Sequence, residues 1–239
     1  MDRDELSAVT HAGLPFANPL SEAKVDELIG SLALGEGSRV LDVGAGNGEI
    51  LRRIVVTYGV TGIGLDPAAG PTLDERAELR RARIEELTER DFDVVANVAA
   101  SHAFGRWHDA LDALAGLVRP GGHVLFGEGY WRREPPPAYL EALGGATRDE
   151  LPLGLPELVY AGEAHGLRAV HLAVASEDDW DRYEWRLIRN GERAAAQAVD
   201  PADAQALREW VGAARRRVLG EGGRDTLGFA LVLFTRVDE

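Results

Sequence analysis

The sequence predicts an α/β protein whose core is a single, mostly parallel sheet of seven strands. Apolar runs of strand length alternate with segments of helical period over most of the chain, and this alternation is typical of parallel sheets covered by helices. The chain has 239 residues, of which 45% are hydrophobic and 28% are charged. This ordinary globular composition supports one sizeable core.

The first half of the chain supplies five predicted strands and the helices between them. Ser21 can cap the first helix, on which Val25, Leu28 and Ile29 share one face. The strands that follow are predicted at residues 39–43, 60–65, a short stretch near 83–84, 92–99 and 123–127. The helices between them are predicted at residues 49–58, 71–81 and 108–118.

The second half of the chain is mainly helical and ends in a strand. Helices are predicted at residues 138–143 and 155–165, followed by a strand at 167–175. Residues 177–220 again have helical period, and residues 226–237 form a long final strand. The last two strands are therefore separated by a helical insertion that is longer than usual connections. Such an insertion either forms a lid over a binding face or pads the fold.

Charge and residue types exclude several classes of protein. The chain has 26 Lys and Arg against 40 Asp and Glu, a formal net charge of −14, so nucleic acid is not an expected partner. The lack of Cys excludes disulfides, thiolate metal sites and a Cys nucleophile. No apolar window is long enough to span a membrane, and the acidic start of the chain lacks a signal-peptide pattern. We therefore expect no membrane partner and a cytoplasmic location.

The most informative stretch is residues 40–49, with the sequence VLDVGAGNGE. A buried strand leads into glycines that let the backbone approach a ligand, and the next helix begins with free N–H groups and a partial positive charge. Nucleotide phosphates and amino-acid carboxylates both suit such a site. Dinucleotide-binding turns have the spacing GxGxxG or GxGxxA, whereas here Glu49 stands where the last small residue should be. Asp42 lies two positions before the first glycine.

An acidic residue followed by GxGxG resembles the first motif of the class I S-adenosylmethionine-dependent methyltransferases. Four further stretches match this family in order, namely residues 64–66 (GLD), 83–87 (RIEEL), 92–97 (FDVVAN) and 119–122 (RPGG). The resemblance covers residues 39–131 and implies a Rossmann-like methyltransferase fold, with helices on both faces of the sheet and an antiparallel last strand. It also implies S-adenosylmethionine as the cofactor, S-adenosylhomocysteine as its product, and no metal.

The resemblance assigns cofactor binding to residues at the ends of the predicted strands. These residues are Asp42, Gly44, Ala45, Gly46, Gly48, Asp66, Ile84 and Asn97. The carboxylate of Asp66 is expected to accept hydrogen bonds from both ribose hydroxyls, and the backbone N–H of Ile84 is expected at the adenine ring. Many relatives have Asp where this chain has Arg83, so either the alignment shifts by one residue or Glu85 takes that role.

The resemblance extends to an uncharacterised group of bacterial small-molecule methyltransferases. The shared features are His11 and residues 15–19 before the first helix, 101–105 after the fourth strand, 127–131 after the fifth, and 176–183. We expect one methyltransferase domain over residues 1–239. Its predicted parts are an N-terminal arm and helix (1–36), a cofactor-binding core (37–131), and a substrate-side half (132–239) with the helical insertion at about 177–223.

The candidate catalytic residues are His102 and Glu128. Methyl transfer is an in-line displacement at an activated methyl group, so the protein mainly supplies proximity, alignment and exclusion of water. A weakly acidic acceptor also needs a proton acceptor within hydrogen-bond reach. His102 and Glu128 follow the fourth and fifth strands, where parallel sheets bind ligands. Alternatively, His102 satisfies the turn into the next helix, and Glu128 pairs with Arg132 or Arg133 at the surface.

The candidate substrate-binding residues are His11, Phe16, His102, Tyr130, Trp131, Trp180 and Tyr183. Tyr130 and Trp131 alternate along a strand, so at most one of them faces the pocket. Trp180 and Tyr183 share a helix face, which either packs into the core or cages a sulfonium or alkylammonium group. His11 belongs to a segment that either folds over the cofactor or packs on the sheet. The remaining histidines lack metal-ligand spacing.

The sequence predicts methyl transfer from S-adenosylmethionine to a small molecule. Nucleic-acid amino methyltransferases have a DPPY-like motif where residues 97–100 read NVAA. Protein arginine methyltransferases have paired glutamates that residues 101–106 lack, and we find no Asp and Asn cluster typical of metal-dependent O-methyltransferases. Two alternatives stay open: an NAD(P)-dependent oxidoreductase with an irregular glycine loop, and a non-catalytic S-adenosylmethionine-binding protein.

Overall fold

The centre of the protein is a seven-stranded sheet, and the computed structural model describes residues 1–72, 74–220 and 222–237. In chain order the strands are β1 (Arg39–Val43), β2 (Thr61–Leu65), β3 (Ala77–Arg80), β4 (Phe92–Val98), β5 (Val118–Trp131), β6 (Leu167–Val174) and β7 (Leu227–Arg236). Their order in space is β3-β2-β1-β4-β5-β7-β6. The last strand, β7, pairs antiparallel with β5 and β6, and the other pairs are parallel. The predicted sheet and its antiparallel last strand are confirmed.

Helices cover both faces of this sheet, as predicted. They are α1 (Arg3–Thr10), α2 (Glu22–Gly30), α3 (Glu49–Tyr58), α4 (Trp107–Leu117), α5 (Pro137–Ala142), α6 (Gly154–Ala164), α7 (Glu177–Gln197), α8 (Pro201–Leu219) and the short α9 (Gly223–Thr226). One apolar cluster joins α2 and α3 to the sheet through Val25 and Leu51, and a second joins α4 and α6 to it through Leu111 and Leu158. Within the described residues, no helix combines the length and apolar character needed to cross a bilayer.

The strand order places a crevice at the carboxyl ends of β1 and β4. Asp42 of β1 is in register with Gly64 of β2 on one side and with Ala96 of β4 on the other. The chain winds outward from this point in both directions, because β2 and β3 lie on one side and β4 and β5 on the other. In open parallel sheets, such a reversal is where ligands bind. The glycine-rich stretch after β1 begins at this crevice.

The structure corrects the helix predicted at residues 71–81. The described residues of this stretch form no helix, and they end in β3, which pairs parallel with β2. The glycines of β2 explain this, because Leu79 of β3 fills the space above Gly64, where a Cβ would lie 2.5 Å from Leu79 Cδ2. The strand predicted near residues 83–84 is also wrong, since Ile84–Glu86 forms a 3₁₀ turn.

The helical stretch predicted at residues 177–220 is confirmed as α7 and α8. The break between them comes at residues 198–200, before Pro201, whose ring suits the first turn of a helix. The N-terminal arm contains one helix that was not predicted, α1. Its capping box has the side chain of Asp2 accepting from the backbone N–H of Glu5 at 2.9 Å, and the reverse bond at 2.9 Å. This helix packs against α7, so the arm contacts the helical insertion.

Candidate active site

The glycine loop after β1 packs so closely against the end of β4 that only glycine fits at position 44. Gly44 has a φ of +73°, in the left-handed region, and a Cβ at this position would lie 2.3 Å from the Cβ of Ala100. The N–H groups of Gly44 and Ala45 both donate to the carbonyl of Leu65, at 2.8 and 3.0 Å. The loop is therefore held between the ends of β2 and β4, and glycine is required where it approaches β4.

The carboxylate of Asp66 lies at the end of β2, beside the glycine loop. Its Oδ2 accepts from the N–H of Gly46 at 3.0 Å, and its Oδ1 accepts from the N–H of Ala68 at 2.7 Å. Asp66 is half-buried, and each carboxylate oxygen has lone pairs left to accept further bonds. The side chain is thus oriented by two backbone donors and can still accept from a ligand's hydroxyls.

Asp42 is a buried carboxyl group at the end of β1. Its side chain is 2% exposed, and Oδ2 has no hydrogen-bond partner among the described residues. Burial, together with the nearby negative charge of Asp66, raises the pKa of Asp42 to about 7. A buried polar atom without a partner calls for an explanation. A ligand that donates a hydrogen bond or brings a positive charge would satisfy this carboxylate.

Asn97 ties the two strand ends of the crevice together. Its Nδ2 donates to the carbonyl of Val43 at 2.8 Å and to the carbonyl of Ala100 at 3.1 Å, while its buried Oδ1 has no partner among the described residues. Ala99, which lies between Asn97 and Ala100 in the chain, has a φ of +58°, which is uncommon for a residue with a Cβ. Asn97 thus positions the loop after β4 against the glycine loop, and its direct cofactor contact stays a prediction.

A cavity of about 260 Å³ lies over the glycine loop. Its lining residues from the core are Asp42, Gly44, Ala45, Gly46, Asn47, Ile50 and Val98, and those from the N-terminal arm are Ala8, His11, Leu14, Pro15, Phe16, Ala17 and Asn18. The side chain of Asn47 donates from Nδ2 to the carbonyl of Pro15 at 3.1 Å, which ties the arm to the glycine loop. The N-terminal arm therefore folds over the loop, and Asp42 faces the space between them.

The structure separates His102 from this cavity. His102 is exposed in the 3₁₀ turn Ser101–Phe104, and it lines a groove of about 720 Å³ together with Arg83, Ile84 and Glu85. This groove contains the predicted adenine loop. His102 thus lies with the residue predicted to contact adenine, and its catalytic role stays a prediction.

Glu128 is a buried acid at the carboxyl end of β5. It is 7% exposed, its Oε1 accepts from the N–H of Gly129 at 2.8 Å, and its Oε2 has no partner among the described residues. Burial raises the pKa of Glu128. The alternative of a surface ion pair does not hold, because Arg132 donates to the carbonyl of Ala175 and Arg133 lies 3.5 Å from the carboxylate of Asp225.

Tyr130 and Trp131 both pack into the core. Tyr130 is 6% exposed and lies against Gly228, where a Cβ would be 2.3 Å from the tyrosine ring. Trp131 is 1% exposed, and its indole N–H donates to the carbonyl of Arg148 at 2.7 Å. Their side chains are occupied by protein contacts, so we do not include them in the proposed acceptor site.

The N-terminal arm and α7 meet through His11 and Tyr183. The two side chains are joined by a hydrogen bond of 2.8 Å between Nε2 and the phenol oxygen, and Nδ1 of His11 lies 2.9 Å from the carbonyl of Ser7. Because that carbonyl can only accept, Nδ1 carries a proton and donates to it. Burial raises the pKa of Tyr183, so its hydroxyl stays protonated in this contact.

The other aromatic candidates surround this contact. Trp180 meets Tyr183 edge to face, with ring centroids 6.2 Å apart. Its indole Nε1 is buried and has no partner in the described part of the chain. Phe16 is 6% exposed and lies beneath the guanidinium of Arg53, 4.9 Å from the ring centroid. Trp180 packs against the core as the more conservative interpretation predicts, while Phe16 lines the cavity over the glycine loop.

Sequence reasoning missed the arginines of α7. Arg182, Arg186 and Arg189 line a groove of about 780 Å³ between this helix and residues 13–22. Their spacing of i, i+4 and i+7 puts them on one helix face, so the signal was present in the sequence.

The described residues contain no group of three or more His, Asp or Glu that could hold a metal ion.

Comparison with known proteins identifies the family. Residues 20–214 match the family model described as "Methyltransferase domain". The chain is 30% identical to the uncharacterized protein YjhP of Escherichia coli (strain K12), over 79% of this chain and 82% of that protein. It is 32% identical to the 27-O-demethylrifamycin SV methyltransferase of Amycolatopsis mediterranei (strain S699), over 89% of this chain and 82% of that enzyme.

A solved structure supports the same assignment. An S-adenosylmethionine-dependent methyltransferase from Thiobacillus denitrificans, in complex with S-adenosyl-L-homocysteine, superposes with a TM-score of 0.82 at 25% identity over 98% of each chain. The buried, unpartnered carboxylate of Asp42 and the oriented carboxylate of Asp66 at a close-packed glycine loop fit such a cofactor. These findings decide against the oxidoreductase and the non-catalytic alternatives. The chain belongs to the class I S-adenosylmethionine-dependent methyltransferases and binds S-adenosylmethionine.

Proposed function

We propose that this enzyme methylates a small molecule. The supporting observation is the N-terminal arm, which covers the glycine loop across a partly open cavity of about 260 Å³. Residues proposed to hold the cofactor line this cavity, so the acceptor has to reach the methyl group beside the arm, where a small molecule fits better than a polymer segment. The net charge of −14 also disfavours a nucleic-acid acceptor. The rifamycin enzyme and a ubiquinone biosynthesis O-methyltransferase similar to part of this chain are named for small-molecule acceptors.

The residues proposed to hold the cofactor are Asp42, Gly44, Ala45, Gly46, Gly48, Asp66, Ile84 and Asn97. When bound, S-adenosylmethionine would supply an activated methyl group. A lone pair of the acceptor forms the new bond to the methyl carbon as the carbon–sulfur bond breaks. The electron pair of the broken bond stays on the sulfur of S-adenosylhomocysteine. Asp66 offers lone pairs to ribose hydroxyls, and Asp42 offers a buried carboxylate to a cationic or donor group. The glycine loop fixes both carboxylates relative to each other.

The remaining work of the protein is to align the acceptor and exclude water. The N-terminal arm closes over the glycine loop through the bonds of Asn47 to Pro15 and of His11 to Tyr183. A hydroxyl or amine acceptor also loses a proton, and this proton needs a base. Glu128 and His102 are the two candidates for that base. Glu128 is buried, with a raised pKa and one oxygen without a partner among the described residues. His102 is exposed, and neither residue lines the cavity over the glycine loop.

The acceptor class is tested by following a tritium-labelled methyl group. The purified enzyme and labelled S-adenosylmethionine are incubated separately with a bacterial metabolite extract, with total protein and with total nucleic acid. We expect label to enter the metabolite extract alone, and a Gly44→Ala variant to transfer none. Label in protein or nucleic acid that depends on the wild-type enzyme would overturn the proposal.

A further inference from the structure

The groove between α7 and the N-terminal arm is lined by more basic than acidic side chains. Arg182, Arg186 and Arg189 line it, together with two acids, Glu22 and Asp179. The formal net charge of the whole chain is −14, so the groove differs in sign from the protein as a whole. The three positions span about 10 Å along the helix.

The two acids of the groove are paired with residues outside α7's arginine strip. Asp179 contacts the ammonium of Lys24 at 2.5 Å and accepts from the hydroxyl of Ser176 at 2.7 Å. Glu22 pairs with the guanidinium of Arg53, which it shares with two other carboxylates. In the described part of the chain, neither acid pairs with an arginine of the strip.

Two of the three arginines have no acidic partner. Arg182 pairs with Asp178 at 2.8 Å, but in the described part of the chain neither Arg186 nor Arg189 makes an ion pair or a side-chain hydrogen bond. The Nε of Arg186 is buried and unpartnered. Buried donors in proteins are normally paired, so this atom indicates a missing acceptor.

The guanidinium of Arg186 lies against the N-terminal arm. A Cβ at Gly13 would be 3.3 Å from its Nη2. Apolar and aromatic side chains, including Phe16 and the exposed Trp185, line the same groove. A guanidinium in a groove with apolar surface is suited to a small organic anion, because carboxylate and phosphate groups accept two parallel bonds from arginine.

The arginine groove borders the cavity at the glycine loop. Leu14, Pro15, Phe16 and Asn18 line both spaces. With a volume of about 780 Å³, the groove falls in the range of small-molecule sites. An anionic group bound at α7 would therefore lie next to the segment that covers the glycine loop.

We propose that the methyl acceptor is an organic anion, a carboxylate or a phosphate monoester, whose charged group binds Arg186 and Arg189. This inference rests on the proposed small-molecule function and narrows its substrate class. The arginines are positioning residues, since they bind the end of the acceptor that does not react. Arg182 contributes less because Asp178 already pairs with it.

The test is calorimetric titration of the enzyme saturated with S-adenosylhomocysteine. The probes are phenyl phosphate, benzoate and the neutral benzamide. We expect at least one anion to bind at millimolar concentration and benzamide not to bind. Arg186→Gln/Arg189→Gln should weaken that anion on the order of ten-fold, and the exposed Arg189→Gln alone should weaken it by less. The stronger of phenyl phosphate and benzoate identifies the anionic group.

Arg193→Gln is the matched control. Arg193 continues the same face of α7, is exposed and lies outside the groove, so its loss should leave the affinity unchanged. Unchanged affinity of the double variant, equal binding of benzamide, no binding of either anion, or equal weakening by the control would overturn the proposal. These outcomes leave small-molecule methylation intact if S-adenosylhomocysteine still binds and labelled methyl still enters the metabolite extract.

Discussion

The two sides of the crevice differ in how the chain encodes them. The proposed cofactor side comes from one short stretch, residues 42–48, and from Asp66 at the end of the next strand. Its geometry depends on close approaches of the backbone, such as that of Gly44 to Ala100. The proposed acceptor side joins residues that are far apart in the chain, such as His11 and Tyr183, which are 172 positions apart. Its geometry depends on side chains.

This difference explains which part of the site a sequence reveals. A cofactor that stays the same across a family is bound by backbone conformations that need glycine at fixed spacing. An acceptor that varies is bound by side chains whose proximity follows from tertiary packing. Substitutions can therefore separate backbone effects on the cofactor side from side-chain effects on either side.

The largest effect is expected from Gly44→Ala. The added methyl group would overlap the side chain of Ala100 and would also require a left-handed φ. We expect affinity for S-adenosylhomocysteine to fall by more than about a hundredfold. The reason is that the glycine loop and the loop after β4 must move apart by several tenths of an ångström or more. Calorimetric titration measures this loss.

The matched control for Gly44→Ala is Gly59→Ala. Gly59 also has a left-handed φ, of +67°, but a Cβ there meets nothing within 4 Å. This change should cost about 1 kcal/mol of unfolding free energy and leave the affinity for S-adenosylhomocysteine unchanged. Equal affinity of both variants for S-adenosylhomocysteine would show that cofactor binding does not depend on the close approach of the glycine loop to β4.

Asp66→Ala should have the next largest effect. It removes the acceptor that we assign to the ribose, and affinity for S-adenosylhomocysteine should fall by 1–3 kcal/mol, roughly ten- to a hundredfold. Asp74→Ala is a suitable control. Asp74 accepts from the N–H of Arg76 at 2.9 Å, just as Asp66 accepts from the N–H of Ala68, but Asp74 has no bond to the glycine loop. Equal affinities of the Asp66 variant and wild type would refute the ribose assignment.

The raised pKa of Asp42 predicts a pH dependence of cofactor binding. In the free protein Asp42 takes up a proton as the pH falls through about 7. A cationic group of the ligand favours the carboxylate and lowers this pKa in the complex, so binding releases a proton. Affinity should therefore rise about tenfold from pH 6 to pH 8 and level off above the pKa of the free protein.

Asp42→Asn should flatten this pH dependence of affinity. The same residue affects the unfolding free energy of the free protein. Its folded pKa is above its unfolded value, so the folded state holds the extra proton, and stability falls as the pH rises from about 4 to about 7. The Asn variant should lose that slope in denaturant titrations. An unchanged slope would show that Asp42 does not titrate in this range.

The smallest effect is expected from Tyr183→Phe. This change removes the hydrogen bond to His11, worth about 1 kcal/mol, and frees the N-terminal arm from α7. Hydrogen exchange of residues 11–19 should become several-fold faster, while affinity for S-adenosylhomocysteine changes little. Tyr160→Phe is the control, since Tyr160 is exposed and has no hydrogen bond in the described residues. Equal exchange in both variants would mean that this bond does not hold the arm.

Most of the fold could be predicted because long apolar runs and glycine turns determine it locally. β1 and α3 have the predicted bounds, 39–43 and 49–58. The error at β3 had a non-local cause, because Leu79 belongs to a strand only where the glycines of β2 leave room for it. Helix α1 was missed because its few apolar residues give a weak pattern, and its capping box with Asp2 was overlooked.

The candidate site divides in the same way. Asp42, Asp66 and the glycines were assigned through the resemblance to the family, and the structure brings them together. Arg186 was not found, because arginines at i, i+4 and i+7 are also the pattern of a solvated helix face. Only its contact with the distant Gly13 and its buried Nε single it out.

The most direct test of this division is one calorimetric titration of S-adenosylhomocysteine into three proteins. These are the wild type, Asp66→Ala and Arg186→Gln/Arg189→Gln. We predict that the wild type and the arginine variant bind with the same affinity, and that Asp66→Ala binds roughly ten- to a hundredfold more weakly. Absence of binding by the wild type, or equal weakening in both variants, would contradict the separation of cofactor and acceptor sides.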